Sequence, residues 1–196
     1  MKIGIDVDDV CANFQKRFVE LLHELYGRPP LDTAPIDWNW NWSNCLVSGE
    51  EMAAAWKAAA RVPFLWAGLE PLASFDDETT RLLRKVIYLH DVFFVTNRFD
   101  TPGPSPMKQT QSWLYNNAEV MSSNALISKY KGPMATVLQL DAFIDDRPQN
   151  CIDVLEARPN ARVYLCDSSH NRTFKNQRIP RVADLKEFLK LMLEAN

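Results

Sequence analysis

Short apolar runs closed by polar residues recur along the chain, and each has the length of a buried strand. Ile3-Gly4-Ile5-Asp6-Val7 opens the chain and stops among acids, and Val92-Phe93-Phe94-Val95 stops at Thr96-Asn97-Arg98. Ala142-Phe143-Ile144 ends in Asp145-Asp146-Arg147-Pro148, and Arg162-Val163-Tyr164-Leu165-Cys166 ends in Asp167-Ser168-Ser169. Continuous apolarity over such short runs is the pattern of strands covered on both faces of a parallel sheet. Between the runs the spacing turns helical. Residues 78–89 set Leu82, Leu83, Val86 and Leu89 on one stripe, and residues 182–195 do the same with Leu185, Phe188, Leu189 and Met192. Shorter helical patterns cover 106–115, 131–140 and 150–157. Strands alternating with helices predict an α/β fold, a doubly wound, Rossmann-like parallel sheet. In such sheets ligands bind beyond the carboxyl ends of the strands. All of the predicted strand ends carry polar or charged groups.

The first interval breaks this rhythm. About seventy residues precede the second strand's helix, far more than a crossover needs. The interval holds a helical pattern over 12–26 (Phe14, Phe18, Leu21, Leu22 and Leu25 on one face), then Gly27, Pro29 and Pro30, then Trp38-Asn39-Trp40-Asn41-Trp42. A second helical pattern over 50–60 leads into Val62-Pro63-Phe64-Leu65-Trp66. The expected division is an α/β core from residues 1–13 and 76–196, with residues 14–75 as a small, mostly helical cap inserted after the first strand.

Composition narrows the class without naming a function. Hydrophobic residues make up 46% and charged residues 24%, a globular mix that excludes a disordered tail or a collagen-like repeat. The net charge of -3 argues against a polynucleotide or an anionic membrane as partner. Cys11, Cys45, Cys151 and Cys166 form no CxxC pair, so neither a zinc knuckle nor a disulfide framework is expected. Acids arrive where a signal peptide would need apolar residues, and no window approaches the roughly 18 apolar residues of a membrane span. The expectation is a reduced, cytoplasmic protein with a small-molecule partner; a homodimer stays open.

The chemistry gathers at the strand ends. Asp6-Val7-Asp8-Asp9 puts three carboxylates directly after a buried strand, and mutual repulsion then calls for a proton or a cation. A hard cation such as Mg²⁺ meets that need. Asp145-Asp146 ends another strand and would reach the same edge of the sheet. Asp6 and Asp8, at alternate positions, point to one side, so one carboxylate can attack phosphorus while the other handles protons. Thr96 offers a hydroxyl at a neighbouring strand end. Lys131, or else Lys129, offers a positive charge to neutralise a phosphoryl group before an anionic nucleophile approaches. Singly, each has a plainer explanation: turn-capping acids, a β-branched strand residue, a solvated lysine.

This ordered set (DxDxV, Thr, Lys, DD) resembles the haloacid dehalogenase superfamily of phosphohydrolases. The resemblance implies Asp6 as nucleophile and Asp8 as general acid/base. It implies Thr96, Asn97 and Lys131 on the phosphoryl group. Mg²⁺ would be held by Asp6, the Asp8 backbone carbonyl and Asp145, with Asp146 standing behind them. An aspartate at the position of Asp8 is typical of the phosphatase members. A closer similarity is to the 5′-deoxyribonucleotidases, carried by Phe64-Leu65-Trp66, Leu69-Glu70-Pro71-Leu72, Ile144-Asp145-Asp146-Arg147-Pro148 and the His170-Asn171 and Ala183-Asp184-Leu185-Lys186 segments. It implies a Mg²⁺-dependent 5′-nucleotidase for deoxyribonucleoside monophosphates, with Phe64, Trp66 and Arg98 at the substrate pocket. Asp9 stands where those enzymes usually have Gly, and Thr96-Asn97-Arg98 replaces Thr-Ser-Pro. The alternating tryptophans read equally as one face of a strand or the wall of a pocket, and His170 reads as a loop residue. The alternatives are a phosphatase of nucleic-acid ends or sugar phosphates, and a non-catalytic nucleotide sensor, against which the presence of both Asp6 and Asp8 counts.

Overall fold

The computed structural model describes residues 1–120 and 124–195. Six parallel strands form one sheet among the described residues, in the order β3-β2-β1-β4-β5-β6. They are β1 (Lys2–Ile5), β2 (Asp91–Thr96), β3 (Asn124–Ile127), β4 (Ala142–Asp145), β5 (Arg162–Cys166) and β6 (Arg181–Val182). Successive strands grow outward on either side of β1, so the winding reverses beside it, and a crevice opens at the carboxyl ends of β1, β2 and β4. The helices are α1 (Phe14–Tyr26), α2 (Gly49–Ala59), α3 (Asp77–Leu89), α4 (Pro106–Ala118), α5 (Lys131–Leu138), α6 (Pro148–Ala157) and α7 (Leu185–Glu194).

The side-chain period of two sorts the sheet into its faces. Ile3, Ile5, Ala142, Ile144 and Cys166 enter a core shared with α1, α3, α4 and α7. Phe143, Val163 and Leu165 enter a second core with α5 and α6. Gly4 faces that second core, where an added Cβ would stand 2.6 Å from Leu140 Cδ1 and 2.7 Å from Phe143 Cδ2, so only glycine lets β1 lie there. On the next layer Gly132 does the same for α5, since a Cβ would meet Asp153 O of α6 at 2.6 Å.

Two strands lie outside the sequence expectation. β3 is an edge strand of which only Ala125 is buried; its apolar run, Ala125-Leu126-Ile127, is short and stays largely uncovered. β6 has two residues, and residue 182, expected to open the last helix, belongs to it instead. The helix starts after Asp184, whose side chain accepts from Glu187 N. Between β1 and α3, helices α1 and α2 pack together, and their Phe14, Phe18, Ala55 and Ala59 share the core of Ile3 and Ile5. The Trp38–Trp42 stretch forms turns and irregular chain and no strand. No helix among the described residues is long and apolar enough to cross a membrane.

Candidate active site

Asp6 follows β1 and is tied to the neighbouring strand by its N–H, which donates to Ile144 O at 3.0 Å. Its carboxylate Oδ1 accepts from Lys131 Nζ at 2.6 Å. Lys131 begins α5, is buried, and also donates to Val95 O; its ammonium lies 3.8 Å from Asp145 Oδ2. Lys129 is exposed, with its ammonium over the Tyr130 ring at 4.8 Å. The geometry therefore brings Lys131 to the carboxylates, and Lys129 elsewhere.

Asp145 closes β4 with no exposed surface. Its Oδ1 accepts from Arg147 N at 2.8 Å, and both carboxylate oxygens accept from Asn150 Nδ2 at 3.0 Å. Asp146 is also buried, and His170 Nε2 comes within 2.9 Å of its Oδ2. That pair lacks the alignment of a hydrogen bond, which leaves Asp146 Oδ2 without a hydrogen-bond partner. One oxygen from each of Asp6, Asp145 and Asp146 falls within 4.8 Å of the others. Three buried carboxylates, two of them within 3.8 Å of one lysine and the third with an oxygen unbonded, fit a hard divalent cation in both donor type and charge. The Asp8 carboxylate stands outside this trio; the expected Asp8 ligand is its backbone carbonyl, and Asp146, expected behind the ligands, joins Asp6 and Asp145 here.

Burial and crowding raise the proton affinity of the site. Burial first, then the charges of Asp146 and Asp8, push Asp6 from 3.8 up to about 6, against the opposing pull of Lys131. Burial, then the charge of Asp6, holds Asp145 well above the carboxylate range. Lys131 loses to burial but gains more from Asp6 and Asp145, so its pKa rises and it stays an ammonium.

Asp9 explains one departure from the resembled pattern. Its φ of 59° is the left-handed region that glycine adopts freely and aspartate tolerates. The carboxylate accepts from Gln15 N at 2.9 Å and so caps the start of α1. Burial, then Asp146, raises its pKa well above normal.

A cleft of about 470 Å³ opens above these groups. Asp6, Asp8, Thr96, Asn97, Lys131 and Asp146 line its floor; Phe14, Trp38, Trp40, Trp56, Trp66 and Phe99 line its walls. All the wall rings but Trp38 form one cluster: Phe14 lies 5.7 Å from Trp56 and 5.3 Å from Trp66, Trp66 lies 4.8 Å from Phe99, and Trp38 packs against His170 instead. Trp66 is pinned by Nε1 donating to Phe99 O at 2.8 Å. Trp42 is buried away from the cleft. Two expected pocket residues lie outside the lining. Phe64 is 54% exposed, with its ring against Gly103. Arg98 lies behind the floor, paired with Asp8.

Thr96, expected to face a phosphoryl group, here donates its hydroxyl to Asp8 Oδ2 at 2.9 Å. Sequence reasoning missed Asn150, Arg147, Gln15 and His170 as site residues, while Trp38 and Trp40 take the pocket-wall alternative. Asn150 had a signal, a polar residue on the first turn of the helix that follows the paired acids. His170 had none, because its partner Asp146 lies far off along the chain. His170 is a loop residue as expected, yet its side chain is 4% exposed and faces the cleft.

Comparisons with known proteins agree with this architecture. No curated protein matches the chain at a significant level. Among solved structures, D,D-heptose 1,7-bisphosphate phosphatase from Burkholderia thailandensis superposes with a TM-score of 0.55 at 10% identity, covering 98% of this chain and 97% of its own. A protein described as a haloacid dehalogenase-like hydrolase from Burkholderia xenovorans LB400 gives 0.53 at 10% identity, covering 98% and 96%. At that identity the likeness concerns the fold. A family model carries more, because that of the 5' nucleotidase, deoxy (Pyrimidine), cytosolic type C proteins matches residues 1–196. The chain belongs to this 5' nucleotidase family, and it is a phosphatase with a haloacid dehalogenase-like fold.

Proposed function

We propose that the protein is a Mg²⁺-dependent 5′-nucleotidase whose substrates are deoxyribonucleoside monophosphates, and that residues 14–75 serve as its cap. The observation that carries this reading is one cleft whose floor presents Asp6, Asp146 and Lys131, with Asp145 buried just beneath, and whose walls are aromatic. The floor suits a phosphoryl group, and the rings suit a flat base. The family's description, which names deoxy substrates, supports the same reading.

Asp6, Asp145 and Asp146, with the Asp8 carbonyl, would hold the cation. When bound, a divalent cation supplies charge neutralisation to the phosphoryl oxygens. The residues do the rest. Asp6 attacks phosphorus in line, and the bond from phosphorus to the ester oxygen breaks. Its electron pair stays on the leaving oxygen, which takes a proton from the Asp8 carboxyl group. Asp8, now a carboxylate, then takes a proton from water as that water attacks the aspartyl phosphate, which frees Asp6 and inorganic phosphate. Lys131, Thr96 and Asn97 hold the phosphoryl oxygens. The cap keeps bulk water away and stacks the base.

The test is phosphate release from paired ribo- and deoxyribonucleoside 5′- and 3′-monophosphates, with a sugar phosphate and a 3′-phosphorylated oligonucleotide alongside. Selective turnover of the deoxyribonucleoside 5′-monophosphates, abolished by EDTA and restored by Mg²⁺, is the expected result. Turnover confined to the sugar phosphate or the oligonucleotide would discard the substrate and keep the chemistry.

A further inference from the structure

The Asp8 carboxylate is held from behind by a guanidinium that the cleft does not reach. Arg98 meets it with two near-parallel bonds, Nη2 to Oδ1 at 2.7 Å and Nε to Oδ2 at 3.1 Å. This fork fixes both the plane and the direction of a carboxylate. The fork is itself immobilised. Arg98 Nη1 donates to Thr110 Oγ1 at 2.8 Å, and the guanidinium lies 5.0 Å from the centre of the Trp66 ring. The Thr110 hydroxyl donates in turn to Pro106 O at 2.7 Å, so a line of bonds runs from the first turn of α4 to Asp8. The Arg98 side chain has no exposed surface, while that of Asp8 keeps 15%. Lys131 is bonded to Asp6 and Val95 instead, and Arg147 stacks over Trp38 at 4.6 Å.

We propose that Arg98 is a positioning residue, which holds Asp8 in the orientation from which it delivers a proton to the leaving ester oxygen. The proposal rests on the reading of Asp8 as the acid. Proton transfer needs the two heavy atoms within about 2.6–3.2 Å, a tolerance that a freely turning carboxyl group meets only part of the time. Arg98 removes that freedom without touching the substrate. Lysine cannot replace it, because a point charge lacks the planar fork.

The consequence is a dependence on the leaving group. When phosphorus passes to Asp6, a sugar oxygen leaves with its electron pair as a strong base and needs the proton of Asp8. A p-nitrophenolate leaves as a stable anion and needs none. In kcat/KM, which reports the steps up to loss of the leaving group, loss of Arg98 therefore acts selectively on sugar esters, which a general loosening of the fold would not do.

The experiment compares kcat/KM for a deoxyribonucleoside 5′-monophosphate and p-nitrophenyl phosphate across wild type, Arg98→Lys, Thr110→Val and Asp8→Asn. Arg98→Lys is expected to lose about 10- to 100-fold on the nucleotide and about tenfold less on the aryl ester. Thr110→Val, which keeps the fork but frees its far end, should show the same selectivity more weakly, and it decides the matter if Arg98→Lys does not fold. Equal loss on both esters, or none on either, while Asp8→Asn remains selective, overturns the positioning role. Asp8→Asn striking both esters equally would instead remove Asp8 as the acid, and the proposal with it.

Discussion

At the scale of single residues the site is a concentration of negative charge that the fold alone balances poorly. Asp6 is pushed up to about 6, and Asp145 and Asp9 are held well above 3.8, burial being the main cause in each case. A carboxyl group whose pKa is raised on folding stabilises the native state below its unfolded value near 3.8, and that contribution disappears as pH rises through the folded value. The metal-free protein should therefore lose melting temperature between about pH 4 and pH 6 on account of Asp6, with Asp145 and Asp9 adding to the loss in the same direction as pH rises. A cation that takes the place of the protons should raise the melting temperature more at pH 8 than at pH 5. Calorimetry with and without Mg²⁺ at the two values measures this, and equal increments would contradict it. Lys131→Met leaves the carboxylates without their buried cation and should cost about 3–5 kcal/mol of metal-free stability at pH 8, read by urea unfolding. Asp6→Asn should act in the opposite sense, holding or raising the melting temperature of the metal-free protein while turnover disappears.

Elements, at the next scale, place these residues through close backbone approaches. Lys131 reaches Asp6 because α5 lies directly on α6, and Gly132 permits that contact. Gly132→Ala should cost about 1–3 kcal/mol and lower kcat as well, since the turn that carries Lys131 must move. An unchanged kcat at lowered stability would separate Lys131 placement from that packing. Legibility followed burial at this scale. β1, β2, β4 and β5 are interior strands whose runs of Ile, Val and Phe declare them. β3 and β6 are the two edge strands: Ala125-Leu126-Ile127 is a short run that the sheet leaves largely uncovered, and β6 has only two residues. The last helix was legible in its stripe but its start was not, because Val182 is apolar for β6 and fits the helical spacing equally well.

The molecule as a whole repeats the lesson at longer range. The paired acids, Thr96 and Lys131 are chemical groups at strand ends, so their convergence followed from a parallel sheet wound both ways from β1. Contacts made across the long insertion did not follow. Nothing local tells that Trp40 and Trp66 face the cleft while Trp42 does not, or that Phe64 turns outward to Gly103. Arg98 stands two positions after Thr96 and reads in sequence as a ligand contact; only the packing of α4 against it shows that it faces Asp8. What unites floor, wall and insertion is a phosphatase site, in which we propose that the Asp6 carboxylate attacks phosphorus. The most direct test is to quench the enzyme with acid during turnover of a ³²P-labelled deoxyribonucleoside 5′-monophosphate and to map the labelled peptide. The account predicts hydroxylamine-sensitive label on the peptide that carries Asp6, and none in Asp6→Asn. Label on another residue, or turnover that survives Asp6→Asn, would contradict it.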